Sequence, residues 1–147
     1  MDRSDFLKAS LLIPLLGAGA ASAAQPADGL DDFIDLFYRK KNVRAAFEKH
    51  AVPDYIQHSA GMAQGREAAI TTLEPMFARD TFHIEPVRVL RGGNLIAVIL
   101  DVRVGDTVRA MVVDMYRHDH GKIREHWDVK FEIPTGQGDQ YFSGFRA

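Results

Sequence analysis

The chain has 147 residues, a hydrophobic content of 46% and a formal net charge of −2. Its length is typical of one domain that buries a core, and its slightly negative charge provides no basic field for binding nucleic acid. It contains no cysteine, which excludes disulfides, a thiolate nucleophile and a cysteine-based zinc site.

Residues 1–24 have the pattern of an export signal peptide. A basic start at Arg3 precedes an apolar run at residues 11–16, and Ala21-Ser22-Ala23 fits the cleavage site of secreted proteins. The start also resembles the twin-arginine export motif, with Ser4 in place of the second arginine. We therefore predict a periplasmic or secreted protein that keeps no membrane span after cleavage, since the apolar run is too short to cross a bilayer. The alternative is an amphipathic helix that stays attached.

The predicted folded domain, residues 25–134, begins with helices. Apolar residues at helical spacing predict a first helix whose buried stripe consists of Leu30, Phe33, Ile34 and Phe37. A second, short helix follows the capping residue Asn42 and ends before Pro53. After a short extended segment, residues 66–79 predict a third helix, which Pro75 should kink or shorten.

After Asp80 the apolar pattern changes to a period of two, which predicts an antiparallel meander. Its four strands are expected at residues 82–90, 95–104, 107–118 and 122–133. Helices followed by strands indicate an α+β fold, with the helices on one face of a curved sheet. Because strands apolar on both faces need a second cover, we expect a homodimer formed through the sheet. The tail, residues 135–147, is glycine-rich but carries aromatic residues, so we expect it to dock.

Polar residues of the last two strands are predicted to meet in a cavity. Side-chain alternation gives the last strand one face with Arg124, His126, Asp128 and Lys130, and another with Ile123, Glu125, Trp127, Val129 and Phe131. On the preceding strand, Asp114 shares an apolar row with Val112 and Tyr116. An aspartate within an apolar row is not typical of simple surface. If the two strands form a hairpin, Asp114, His126 and Asp128 can line one cavity.

Three stretches resemble the SnoaL-like polyketide cyclase group of the nuclear transport factor 2-like (NTF2-like) superfamily, close to members predicted to catalyse aldol condensation. They are residues 55–58, 112–117 and 121–129, within a resemblance that spans roughly residues 28–134. The resemblance implies a cone-shaped α+β fold and an acid/base aspartate near the end of the last strand, which corresponds to Asp128. A polar residue that faces it corresponds to Asp114. Ser59 departs from the family pattern, in which asparagine follows the Gln-His pair.

Cyclisation or isomerisation by such an enzyme needs a base beside a carbonyl and a donor for the developing enolate, without metal or cofactor. Asp128 is the predicted base, because an apolar cone would remove its solvation and make it more basic, as for the aspartate base of ketosteroid isomerase. His126, His58 and Tyr55 are predicted donors or orienting groups. Asp114 would orient a histidine or share a proton with Asp128.

A small hydrophobic substrate is expected to contact the remaining candidates. These are Tyr55, Gln57, Val112 and Tyr116. Trp127 belongs either to this set or to the core or the subunit interface.

Two further functions fit the same residues. The chain could bind a hydrophobic small molecule without catalysis, which the predicted export favours over a place in a polyketide assembly line. Alternatively, the four side chains of His58, Asp114, His126 and Asp128 could hold zinc or a similar ion. Structural roles are open as well: an exposed polar row for His126 and Asp128, a helix cap for His58 and a buried hydrogen-bond acceptor for Asp114.

Overall fold

The computed structural model describes residues 30–146, in which helices pack on one face of a five-stranded sheet. Helix α1 (Leu30–Ile34) continues as a π-helical turn (Asp35–Arg39), and α2 (Val43–His50), α3 (Arg66–Phe77) and α4 (Gly138–Phe142) follow. The strands are β1 (Ala51–Gln57), β2 (Phe82–Gly92), β3 (Leu95–Val104), β4 (Val108–Asp119) and β5 (Lys122–Glu132). The predicted α+β class is confirmed, whereas the predicted signal peptide lies outside the described residues. Within residues 30–146, no helix is both long and apolar enough to span a membrane.

The helices form where the apolar spacing predicts them. The stripe of α1 continues through the π-helical turn, which buries both Phe37 and Tyr38 against the sheet. Asn42 caps α2, since its side-chain oxygen accepts a hydrogen bond from the backbone N–H of Ala45. Helix α3 ends at Phe77, two residues before the predicted end, with Pro75 in its last turn. These helices cover the inner face of the sheet and close one side of the site described below.

The sheet has the strand order β1-β5-β4-β3-β2, in which β1 runs parallel to β5 and the other neighbours are antiparallel. The β4–β5 ladder pairs Asp114 with Asp128 and Tyr116 with His126, so these side chains share the inner face. A bulge then shifts the pairing at Arg124. Because a bulge reverses the alternation, Ile123 lies in the hydrophobic core, and its predicted place beside Trp127 is wrong.

The C-terminal tail docks on the outer face of the sheet, away from α1–α3. Phe142 is fully buried between two guanidinium groups, those of Arg109 and Arg146, whose central carbons lie 5.2 Å and 5.6 Å from the ring centroid. Tyr141 of the tail packs against Phe131, with ring centroids 5.4 Å apart, yet Val129 and Phe131 remain 57% and 51% exposed. The tail therefore covers only part of the second apolar face that the sequence predicts.

Candidate functional site

A cavity of about 410 Å³ lies between the helices and the inner face of the sheet. Most of its wall is apolar, as contributed by Phe37, Phe77, Phe82, Leu100 and Val112. Polar side chains are concentrated on the part of the wall that β1, β4 and β5 form, and they are Tyr55, Gln57, Asp114, Tyr116, His126, Asp128 and Lys130. Their arrangement follows from strand alternation, which aims every second side chain of each strand at the cavity.

Asp114 is the buried carboxylate of this wall, with 9% of the residue exposed. The Tyr38 hydroxyl lies 2.6 Å from its Oδ2, and the Tyr116 hydroxyl lies 3.4 Å from the same oxygen. Burial, reinforced by the negative charge of Asp114, raises the pKa of both tyrosines well above the ordinary value. Both hydroxyls therefore keep their hydrogens. Tyr38 donates to Asp114, and Tyr116 donates to the Tyr38 oxygen, which is 2.5 Å away.

His126 lies between Asp114 and β1. Its Nδ1 is 2.7 Å from Oε1 of Gln57, and its Nε2 is 3.3 Å from Oδ1 of Asp114. Gln57 is itself held by two further hydrogen bonds, from the backbone N–H of Ser59 to Oε1 and from Nε2 to the Tyr55 hydroxyl. Gln57 is predicted to contact substrate, but both ends of its side-chain amide already form hydrogen bonds with neighbouring protein groups.

Asp128 lies at the mouth of the cavity and is exposed. Its Oδ1 accepts a short hydrogen bond from the Ser59 hydroxyl, so the residue that replaces the family's asparagine contacts the predicted base. Gln64 holds this loop, because its side-chain amide makes hydrogen bonds of 2.9 Å and 2.6 Å to the backbone of Gln57. The sequence predicts that the Asp128 carboxylate loses its contact with water, but Asp128 is exposed. Asp114 is the carboxylate of this wall that is buried.

Tyr55 provides a hydrogen-bond donor inside the cavity. Its side chain is almost completely buried, and within residues 30–146 its hydroxyl has one hydrogen-bond partner, the donating amide of Gln57 at 3.4 Å. Burial is the main cause that raises the pKa of Tyr55 above its ordinary value, and the charge of Asp114 is the next. The Gln57 hydrogen bond lowers this pKa by less, and the charge of Asp128 adds the smallest increase. The hydroxyl therefore stays protonated, with its hydrogen available to a bound ligand.

Two predicted site residues lie on the opposite side of the sheet. The rings of His58 and Trp127 stack with their centroids 4.7 Å apart, and Nε2 of His58 is 2.9 Å from Oε2 of Glu125. The four side chains considered as metal ligands therefore do not converge. In the part of the chain that the structure describes, no group of three or more His, Asp or Glu side chains is arranged to hold a metal ion.

Sequence reasoning missed Tyr38, which the π-helical turn brings to Asp114. A signal for it was present, because Tyr38 follows Ile34 by four residues and continues the apolar stripe of α1. The role of Gln64 leaves no such signal, since the residue is exposed and lies in a loop.

The sequence matches a known domain family. Residues 26–126 match the SnoaL-like domain family. No curated protein matches the chain.

Several solved structures share the fold at low sequence identity. An NTF2-like protein of unknown function from Mesorhizobium loti superposes with a TM-score of 0.62 at 14% identity, covering 71% of this chain and 89% of that one. A candidate SnoaL-like polyketide cyclase from Jannaschia sp. CCS1 has a TM-score of 0.56 at 17% identity, with 70% and 85% covered. A candidate ketosteroid isomerase from Kribbella flavida has a TM-score of 0.57 at 18% identity, with 75% and 85% covered. The chain belongs to the SnoaL-like domain family and has the NTF2-like fold.

Proposed function

We propose that the cavity is the active site of a cofactor-free enzyme that transfers a proton on a small, largely hydrophobic carbonyl compound, in an aldol cyclisation, an isomerisation or a related reaction. One observation carries this proposal: an accessible carboxylate, Asp128, and a protonated hydroxyl, that of Tyr55, belong to the same polar wall of an apolar cavity. This combination of a base and an enolate donor is what proton abstraction beside a carbonyl requires.

The proposed reaction assigns one role to each group. Asp128 takes a proton from the carbon beside the substrate carbonyl, and the electron pair of that C–H bond moves into the enolate. The Tyr55 hydroxyl donates a hydrogen bond to the enolate oxygen, where negative charge develops. In an isomerisation Asp128 returns the proton to another carbon, and in D₂O the exposed carboxyl group first exchanges it for a deuteron, which is returned to the same carbon. In an aldol cyclisation the enolate carbon bonds to a second carbonyl carbon of the substrate, and the oxygen of that carbonyl takes up the proton. Two solved relatives, the candidate cyclase and the candidate isomerase named above, support this class of chemistry by analogy.

Deuterium exchange tests the proposal without knowledge of the natural substrate. The mature protein is incubated in D₂O with a neutral bicyclic ketone such as 2-tetralone, and NMR follows deuterium uptake beside the carbonyl. We expect catalysed exchange that Asp128→Asn slows by about 100-fold or more, the usual contribution of a general base. Ketone affinity should change little, because asparagine fills the same space. Asp106→Asn, in the exposed β3–β4 turn, is the matched control and should exchange at the wild-type rate.

A noncatalytic binding protein gives a different result in the same experiment. The ketone would bind to the wild type and to Asp128→Asn, but neither protein would accelerate exchange over buffer. That outcome would replace the enzyme proposal with the binding function. If both proteins exchange deuterium at the same accelerated rate, Asp114 becomes the candidate base, since it is the other carboxylate lining the cavity in residues 30–146.

A further inference from the structure

The orientation of the Gln57 amide is determined by its neighbours. The backbone N–H of Ser59 can only donate, and it lies 3.1 Å from one terminal atom of Gln57, which must therefore be the oxygen Oε1. The other terminal atom, Nε2, then meets the Tyr55 hydroxyl, which can accept. A reversed amide would set two donors against each other at Ser59.

This amide in turn fixes a hydrogen on one ring nitrogen of His126. Nδ1 lies 2.7 Å from Oε1 of Gln57, a pure acceptor, so Nδ1 must carry the hydrogen of that bond. The Ser59 hydroxyl, 3.4 Å from Nδ1, is consistent with this assignment. Its own hydrogen is donated to Asp128, which leaves an oxygen lone pair towards Nδ1.

The other ring nitrogen then faces a carboxylate. Nε2 of His126 is buried without a hydrogen-bond partner, and it lies 3.3 Å from Oδ1 of Asp114. In a neutral imidazole with its hydrogen on Nδ1, Nε2 presents a bare lone pair to the negative oxygen, and burial strengthens their repulsion. One additional proton on Nε2 turns this contact into an ion pair.

The surroundings of Asp114 favour the ionised carboxylate as the partner in that pair. Tyr38 of the π-helical turn donates to its Oδ2 at 2.6 Å, and the hydroxyl of Tyr116 on β4 reinforces this bond by donating to the Tyr38 oxygen, 2.5 Å away. Hydrogen bonds to a carboxylate stabilise its charged form. The other titratable groups that line the same cavity are Tyr55 of β1, whose hydroxyl is neutral, and Asp128 and Lys130 of β5, the latter paired with Glu132. None of them competes for the place beside Nε2.

We propose that Gln57 is a positioning residue that holds His126 as the doubly protonated imidazolium, paired with the Asp114 carboxylate at neutral pH. The pair is neutral overall. Lys130, which also lines the cavity, is paired with Glu132 at 3.2 Å, so Asp128 is left as the uncompensated negative charge of the wall. If the proposed function holds, an enolate oxygen at Tyr55 then develops its charge beside a neutral pair instead of a second uncompensated carboxylate. The protonation state itself does not depend on that function.

Nitrogen NMR of histidine tests the proposal on the mature protein. A long-range ¹H–¹⁵N spectrum at pH 7 separates protonated from bare ring nitrogens, and His126→Gln assigns the signals. We expect both nitrogens of His126 to be protonated in the wild type. In Gln57→Leu, Nδ1 loses its acceptor, so His126 should become neutral with one bare nitrogen and with its hydrogen on Nε2 towards Asp114. Gln57→Glu keeps an acceptor and should keep both hydrogens.

Controls and a second variant make the outcome decisive. Gln140→Leu, in the exposed tail helix, should leave the His126 signals unchanged. If Gln57→Leu does not fold, Asp114→Asn replaces it, and removal of the paired charge should leave His126 with one protonated nitrogen. A bare nitrogen on His126 in the wild type at pH 7 would overturn the proposal, and so would an unchanged imidazolium in Gln57→Leu. Since no substrate is present, failure here is distinguishable from failure of the deuterium exchange assay.

Discussion

Asp114 and Asp128 stand directly opposite each other on β4 and β5, yet one carboxylate is buried and the other is exposed at the mouth of the cavity. The two Cα positions in such a pair lie within about 5.5 Å, so the difference arises from what surrounds each side chain. Asp114 is enclosed by tyrosines and His126, whereas Asp128 has the Ser59 hydroxyl and open space. Two carboxylates in different environments can take different roles, which is how acid/base sites divide their work.

Replacement of Tyr55 by phenylalanine tests the proposed enolate donor. Tyr55→Phe removes the hydroxyl but keeps the ring that packs against Phe47. We expect the deuterium exchange rate to fall by about 10²–10³-fold, the effect of losing one such donor, with little change in ketone affinity. Tyr141→Phe, on the tail helix and outside the cavity, should keep the wild-type rate. An unchanged rate in Tyr55→Phe would remove this hydroxyl from the mechanism.

The raised pKa of Tyr55 adds a pH dependence to the same assay. A free tyrosine ionises near pH 10 and then cannot donate. Because burial and nearby carboxylates raise the pKa of Tyr55, the donor persists at a higher pH than it would in a free tyrosine. We therefore expect no loss of exchange rate from Tyr55 ionisation up to about pH 10, as measured over the range in which circular dichroism reports an intact fold. A rate that halves near pH 9 in the wild type but not in Tyr55→Phe would contradict this.

The uncovered part of the outer sheet face leads us to propose a homodimer. Val129 and Phe131 are more than half exposed there, and Trp127 lies on the same face of β5. Exposed apolar patches of this kind mark sites of association. Sedimentation of the mature protein at micromolar concentration should show two subunits, and Val129→Asp should shift it to monomers. Val104→Asp changes an exposed valine that lines the cavity instead and should leave the dimer intact. A monomeric wild type would exclude the proposal.

Export of the protein is a proposal that mass spectrometry can test. The family match begins at residue 26, just after the predicted cleavage site at Ala21-Ser22-Ala23, so removal of the first residues would spare the matched domain. Natively produced protein should begin at or near Ala24. A mature mass that includes Met1 would contradict cleavage and favour an attached N-terminal helix.

Strand alternation explains which side chains could be placed on the cavity wall from the sequence and which could not. It placed Asp114, His126 and Asp128 on one cavity because a hairpin register fixes which side chains share a face. It misplaced Ile123 because the bulge at Arg124 reverses the alternation, and nothing in the local residue pattern specifies that bulge. The same rule, applied to β1, puts Tyr55 and Gln57 inward and therefore His58 outward, so the position of His58 was predictable.

Other features depend on contacts between distant parts of the chain. The exposure of Asp128 follows from where the cavity opens, and the sequence around Asp128 does not contain that information. Pairing of Tyr38 with Asp114 joins residues 76 positions apart. Docking of the tail was expected from its aromatic residues. The contact that holds it, an ion pair between Arg146 of the tail and Asp101 of β3, was not predicted.

The ion pair between Asp101 and Arg146 leads to a prediction about stability. The Asp101 side chain is 0% exposed, and its carboxylate accepts hydrogen bonds from Arg109, Arg103 and Arg146, the last of which comes from the tail. Burial alone would raise the pKa of Asp101, but the hydrogen bonds from Arg109 and Arg103 outweigh it and hold the pKa below the ordinary value. A carboxylate with a lowered pKa stabilises the fold while it is ionised.

Asp101→Asn should therefore lower the free energy of unfolding at pH 7 by on the order of 3 kcal/mol, as measured by urea denaturation. The contribution of Asp101 is fully present above its unfolded pKa of about 3.9 and is lost as the pH falls through the lower folded value, so the difference between the two proteins should shrink below about pH 4. Asp139→Asn is the matched control. Its carboxylate is fully exposed and also contacts Arg109, so its removal should cost much less than the removal of Asp101. Equal losses in the two variants, or a difference that persists unchanged into acid, would mean that the buried ion cluster does not hold the tail on the sheet.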